Sequence, residues 1–152
     1  MTSNSLENLA RIGSLKREPP AQAELDGLIG SARKRLGDAK NPANTLESRF
    51  DLAYNAAHAL ALAALRRHGY RSENRYLVFQ ALEHTMGFAD PEWRVLATCH
   101  ERRNKFEYEG VLNVDERLLA ESIGVADRLL AALDKLGPLK RAWFARCTPP
   151  TP

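Results

Sequence analysis

Apolar residues recur along this chain at three- and four-residue intervals almost throughout, the spacing that lines one face of an α-helix. Leu6, Leu9, Ile12 and Leu15 predict a short first helix that ends before the breaker Pro19-Pro20. Leu25, Leu28, Ile29, Ala32 and Leu36, interleaved with Glu24, Asp26, Arg33, Lys34 and Arg35, predict an amphipathic second helix. A third runs from Thr45 to His68, opened by Asn44 with Glu47 in the manner of a capping box and closed by Gly69. Its stripe Leu46, Phe50, Ala53, Tyr54, Ala57, Leu60 is backed by Leu52, Ala56, Ala59 and Leu62, so it is apolar nearly all round. That composition belongs at the centre of a bundle, where alanines let neighbours approach closely.

Ser72 is expected to cap a fourth helix carrying Tyr76, Leu77, Phe79 and Leu82, stopped at Gly87. Asp90-Pro91-Glu92 opens a fifth, because Asp can accept from the free N–H groups, Pro suits the first turn and Glu suits the dipole there. It extends to Glu109, ahead of Gly110. The last long helix starts near Asn113 to Asp115, buries Leu119, Ile123, Ala126, Leu130 and Leu133, and stops at Gly137-Pro138. No segment alternates with period two, so a sheet is not expected. The fold class is therefore all-α, an up-and-down bundle of five or six helices forming one domain over residues 1–147. The Pro-rich tail, residues 148–152, is expected to be a flexible end.

Composition narrows the function classes. The 152 residues are 44% hydrophobic and 27% charged, the mixture of a globular chain. Twenty-two Lys and Arg against 19 Asp and Glu leave a net charge of +3, which permits an acidic partner without demanding one. Two cysteines, Cys99 and Cys147, lie in no C-x-x-C pattern, and a reduced, cytoplasmic setting is expected. The longest apolar stretch, Leu52 to Leu65, is too short to cross a bilayer, and no secretory leader is recognised, so no membrane association is expected.

Candidate chemistry concentrates in His100-Glu101-Arg102-Arg103-Asn104-Lys105-Phe106-Glu107-Tyr108-Glu109-Gly110. On a helix, His100, Arg103, Asn104 and Glu107 continue the apolar face of Trp93, Leu96 and Ala97. The plainer reading of this cluster is a surface pair between Arg103 and Glu107, four residues apart, with Asn104 turned to Tyr108 or solvent.

The order of elements and this stretch together resemble the HEPN superfamily, the higher eukaryotes and prokaryotes nucleotide-binding domains, which are small all-α bundles that usually dimerise. The resemblance covers roughly residues 45–136 as helices. Many members are metal-independent ribonucleases with an Arg, a polar residue directly after it, and a His following four to six intervening residues. Arg103-Asn104 matches the opening, and Tyr108 stands in the place of the His. The resemblance implies that Arg103 steadies phosphate charge and that Asn104 orients the Arg or the substrate. The family His moves a proton at the RNA 2′-hydroxyl, whereas a phenol of ordinary pKa near 10 stays protonated at neutral pH and serves better to donate a hydrogen bond or stack on a base. Some relatives paired with a nucleotidyltransferase carry a modifiable Tyr two positions after the His; Gly110 occupies that place here.

His100, one turn before Arg103, is the other candidate for proton transfer. His58 is expected to be a hydrogen-bonded core or interface residue, His84 a surface residue and His68 a helix-end residue whose cation would complement the dipole. Metal is expected to be absent, since no HExxH occurs and Glu73 with Glu83 has no ligand spacing; no cofactor is expected either, because there is no GxGxxG or P-loop. Arg33-Lys34-Arg35 reads as a solvated face. Arg66-Arg67-His68 with Arg71 and Arg75, together with Arg102, Arg103 and Lys105, predicts a surface that neutralises RNA phosphates. Trp143 and Phe144, flanked by Lys140, Arg141 and Arg146, add aromatics that pack or stack.

These readings converge on a homodimeric HEPN-like bundle that binds or acts on RNA in a toxin–antitoxin or stress-response system, with an antitoxin or nucleotidyltransferase as partner. The rival is a non-catalytic protein–protein interaction module of the same fold.

Overall fold

The computed structural model describes residues 2–139. The tail, Cys147 and the Trp143-Phe144 pair lie outside the described residues. The chain is an all-α helical bundle with, among the described residues, seven helical segments: α1 (Thr2–Arg11), α2 (Gln22–Ala39), α3 (Leu46–Arg67), α4 (Arg75–Gln80), α5 (Leu82–Thr85), α6 (Asp90–Glu109) and α7 (Glu116–Leu136). The fourth expected helix is thus two short pieces, α4 and α5, separated at Ala81.

The centre is α3. It packs against α2 and α7 along much of its length and against α4, α5 and α6 on its remaining side. Ala53, Ala56, Ala57, Ala61, Ala63 and Ala64 are buried, and their small side chains let the surrounding helices close on it. Phe50, Leu60 and Leu65 fill the gaps between helices, each fully buried side chain contributing about 1.5–3 kcal/mol of transfer free energy. Leu25, Leu36, Phe79, Leu96, Leu119 and Leu129 come in from the neighbouring helices to complete one core.

Local chemistry sets the ends, with three corrections to the expected caps, the third being that Asp90 lies inside α6 and Ala89 holds the N-cap position. Thr45, not Asn44, caps α3 by accepting from the Ser48 N–H at 3.2 Å, while Asn44 donates to the Asp38 carbonyl. Asn74, not Ser72, caps α4 by accepting from the Leu77 N–H, because Ser72 accepts from the Asn74 N–H one step earlier. Asp115 caps α7 through Leu118. At α6 the Glu92 carboxylate accepts from the Ala89 N–H, half of a capping box, since alanine has no acceptor to offer in return. Gly110, with φ of 73°, ends α6 in the left-handed region that a side chain resists.

One feature was not expected. Lys16-Arg17 (β1) pairs antiparallel with Tyr70-Arg71 (β2), tying the segment after α1 to the turn after α3. These residues show no alternation, and the pairing is held instead by charge. Arg66, 1% exposed, donates to the Glu24 carboxylate at 2.6 Å and to the Glu18 and Pro19 carbonyls at 2.8 Å. Arg71 pairs with Glu18 at 2.8 Å and with Glu24.

Candidate functional site

The cluster read from sequence lies where α6 crosses α3 and α4. His100 projects from α6 toward Tyr54 of α3, whose hydroxyl lies 2.9 Å from His100 Nδ1. Tyr54 is buried at 3% exposure, so this end of the imidazole is fixed from inside the bundle. The outer nitrogen, Nε2, lies 3.2 Å from the amide nitrogen of Asn104, one turn along α6 and exposed. With the amide N–H as donor, Nε2 is the acceptor and Nδ1 carries the proton that it gives to the Tyr54 oxygen. Burial, and then the charge of Arg75, hold the His100 pKa below its ordinary value, which favours this neutral ring.

Arg103 does not pair with Glu107. Its Nε donates to Asp51 of α3 at 2.9 Å, and its guanidinium lies 5.9 Å from the Phe106 ring. A shallow groove of about 550 Å³ opens beside it, lined by Thr45, Ser48, Asp51, Leu52, Phe106 and Leu112 among others. The side chain is half-buried and lines this groove.

From α4, Arg75 reaches the same corner. It lies over the Tyr54 ring at 5.5 Å and donates to Asn55 at 3.4 Å. Its charge also helps lower the His58 pKa, which burial above all pushes down to about 4. Tyr76, next along, is 41% exposed, stands edge-on to Trp93 at 6.3 Å and lies 6.5 Å from His100. His58 packs edge-on to Phe79 at 5.9 Å and, among the described residues, its ring has no hydrogen-bond partner, so the expected hydrogen-bonded role gives way to an apolar one.

The other expected site residues fall elsewhere. Tyr108 is 90% exposed near the end of α6, away from the Tyr54–His100 contact. Lys105 is exposed on the same helix. Arg102 donates to the Asn113 carbonyl at 2.7 Å and so pins the turn between α6 and α7.

The Arg66–Arg71 part of the expected basic surface is corrected: Arg66 and Arg71 are neutralised by Glu18 and Glu24, while Arg67 donates to the carbonyls of Leu136, Gly137 and Pro138 at the end of α7. His68 contacts the Thr85 carbonyl through Nε2 at 3.1 Å rather than standing as a free helix-end cation. Arg33 pairs with Asp134, whereas Lys34 and Arg35 are exposed. Among the described residues no group of His, Cys, Asp and Glu is arranged to hold a metal ion, and no helix is long and apolar enough to cross a membrane.

Sequence reasoning missed Tyr54 and Asp51. Both lie on the helix assigned to the centre, and only the packing of α3 against α6 shows that their polar atoms meet His100 and Arg103. Comparison of the chain with protein-family models, with curated proteins and with solved structures returns no match.

Proposed function

We propose that the chain is a HEPN-like helical bundle that binds RNA and acts on it through His100, with Arg103 holding phosphate. The observation that carries this reading is the clamp on His100, whose inner nitrogen is fixed by buried Tyr54 while its outer nitrogen faces an exposed, displaceable Asn104. A neutral imidazole so placed is suited to accept the 2′-hydroxyl proton once a substrate displaces the amide, and Arg103 one turn away is suited to offset charge on the adjacent phosphate. In this reading Asn104 orients the imidazole, and Tyr108 is left outside the chemistry. The working form is a homodimer in a toxin–antitoxin or stress-response system, with an antitoxin or nucleotidyltransferase as partner.

The second reading, a non-catalytic protein–protein interaction module, is favoured by one observation: Arg103 already spends its Nε donor on Asp51 within the chain.

The test is incubation of the purified protein with single-stranded and structured RNA in EDTA, alongside Arg103→Ala, His100→Gln and Tyr108→Phe. Cleavage that disappears in the first two variants and persists in the third is the expected result. Cleavage that depends on Tyr108 but not on His100 assigns the proton transfer to the phenol instead. RNA neither bound nor cleaved by the native chain removes the first reading in favour of the interaction module.

A further inference from the structure

Most arginines of this bundle that approach its interior end on a carboxylate or on helix-terminal carbonyls, as Arg66, Arg71, Arg67 and Arg102 do. Arg75 is different. It is half-buried between α3 and α4, and among the described residues its partners are Tyr54, through the ring at 5.5 Å and a side-chain hydrogen bond, and the Asn55 amide oxygen at 3.4 Å, neither of which carries charge. Half-removing a guanidinium from water without a counter-charge is unfavourable, and an anion seated against it relieves that cost. Arg75 stands close enough to His58 and His100 for its charge to disfavour their protonated forms, and the carboxylate that acts on His100 is that of the exposed Glu101.

Beside this cation stands an aromatic surface. Tyr76 is held edge-on by Trp93, which is itself buried, and it lies 6.5 Å from His100 while keeping 41% of its surface in solvent. A ring held by its neighbours and partly open to solvent loses little conformational entropy when a base stacks on it, and every base has a face to offer. Arg75 acts on the charge of His100 and the Tyr76 ring lies 6.5 Å from the same imidazole, so an anion on the first and a planar group on the second are brought together at His100, as the phosphate and base of one nucleotide are.

We propose that Arg75 and Tyr76 form a subsite for one unpaired nucleotide, with the phosphate on Arg75 beside His100 and the base stacked on Tyr76. The inference deepens the RNA reading above and rests on it for the polymeric ligand. It adds that the bound RNA is single-stranded at this point, since a base inside a duplex has no free face to place on Tyr76.

The test is titration of a fluorescently labelled short oligouridylate, alone and annealed to its complement, against native protein and the Tyr76→Ala, Tyr76→Phe, Arg75→Gln and Arg103→Ala variants. Tyr76→Ala is expected to weaken single-strand binding by about 5- to 150-fold, the range that a lost base–aromatic stack spans, without changing its salt dependence. Tyr76→Phe should restore it. Arg75→Gln should weaken binding and flatten the slope of log affinity against log salt by about 0.7, the share of one phosphate contact on a single strand. Single-strand binding that falls with Arg103→Ala but not with Tyr76→Ala overturns the subsite and leaves the RNA reading standing. If the native chain binds no RNA, that reading fails, and the subsite is decided by uridine monophosphate alone. Movement of the His100 ring signals in nuclear magnetic resonance, lost in Arg75→Gln, then upholds it, and unmoved signals overturn it.

Discussion

Two arginines, Arg66 on α3 and Arg75 on the neighbouring α4, have opposite surroundings. At the C-terminal end of α3, Arg66 is enclosed by the Glu18 and Glu24 carboxylates and by backbone carbonyls on either side of the Pro19 turn, with Arg71 sharing both acids. Near the middle, Arg75 meets an aromatic face and one amide oxygen. The first site is a closed network in which each charge has a counter-charge, and what it does is fasten β1 and α2 to α3. The second leaves a charge without a counter-charge beside a clamped imidazole. A basic cluster in a sequence is therefore not one kind of object: the same residue type is structural where acids arrive from other elements and is open to a ligand where they do not.

The sharpest way to break the comparison is to remove each arginine while keeping its volume. Arg66→Met should cost about 3 kcal/mol or more, because it strands two carbonyls and the acids of a buried network. Arg75→Met should stay within about 1 kcal/mol of the native chain, since what it loses is a cation–π contact and what it removes is an uncompensated charge. Urea unfolding with unchanged slope would measure both. Similar losses at the two positions would show that Arg75 is as structural as Arg66.

Acid should separate the same two regions. Burial, with the charges of Arg75 and His100, holds the folded pKa of His58 at about 4, below its ordinary value of 6.5. The unfolded state therefore binds the extra proton first. Stability from this group is complete above about pH 6.5 and is lost as pH falls from there toward 4, by about 2 kcal/mol after allowance for partial exposure. At the other end, hydrogen bonding by Arg71 holds Glu18 below the usual carboxylate range, and the same arginine with Arg66 outweighs the opposing burial at Glu24. That contribution is present above about pH 4.5 and fades as pH falls through the depressed values. Stability followed by urea unfolding across pH should fall in two stages, and His58→Gln should shrink the upper one, to which His68 and His100 also contribute because burial lowers their pKa values. An unaltered upper stage in that variant would mean that another group governs it.

How much of this was legible follows from what each feature depends on. Helix positions and the ends at Gly69, Gly87, Gly110 and Gly137 are local properties, and all four glycines have positive φ. The break at Ala81 carries no Gly or Pro and is imposed by packing. The β1–β2 pairing lies between residues 16–17 and 70–71, far apart in sequence and without alternation, so no local pattern announces it. Within the site, His100 and Asn104 share a helix face by spacing alone, and they do meet. Asp51, Tyr54 and Arg75 reach them only through the docking of α3 and α4 on α6. The basic run around Arg66 misleads for the same reason, because Glu18 and Glu24 come from other elements.

The smallest expected effect sharpens the comparison at its boundary, where Arg103 is intermediate between Arg66 and Arg75. It has one carboxylate partner, Asp51, but both side chains are substantially exposed and the Arg103 groove is open. An ion pair so exposed contributes under about 1 kcal/mol to folding. Asp51→Asn should therefore leave urea unfolding nearly unchanged while removing the charge that competes with phosphate for Arg103. Single-strand RNA affinity should rise by about 3- to 10-fold at low salt and converge on the native value as salt screens the difference. A fall in affinity would instead mean that Asp51 holds Arg103 in its binding orientation, and would move Arg103 to the structural side with Arg66.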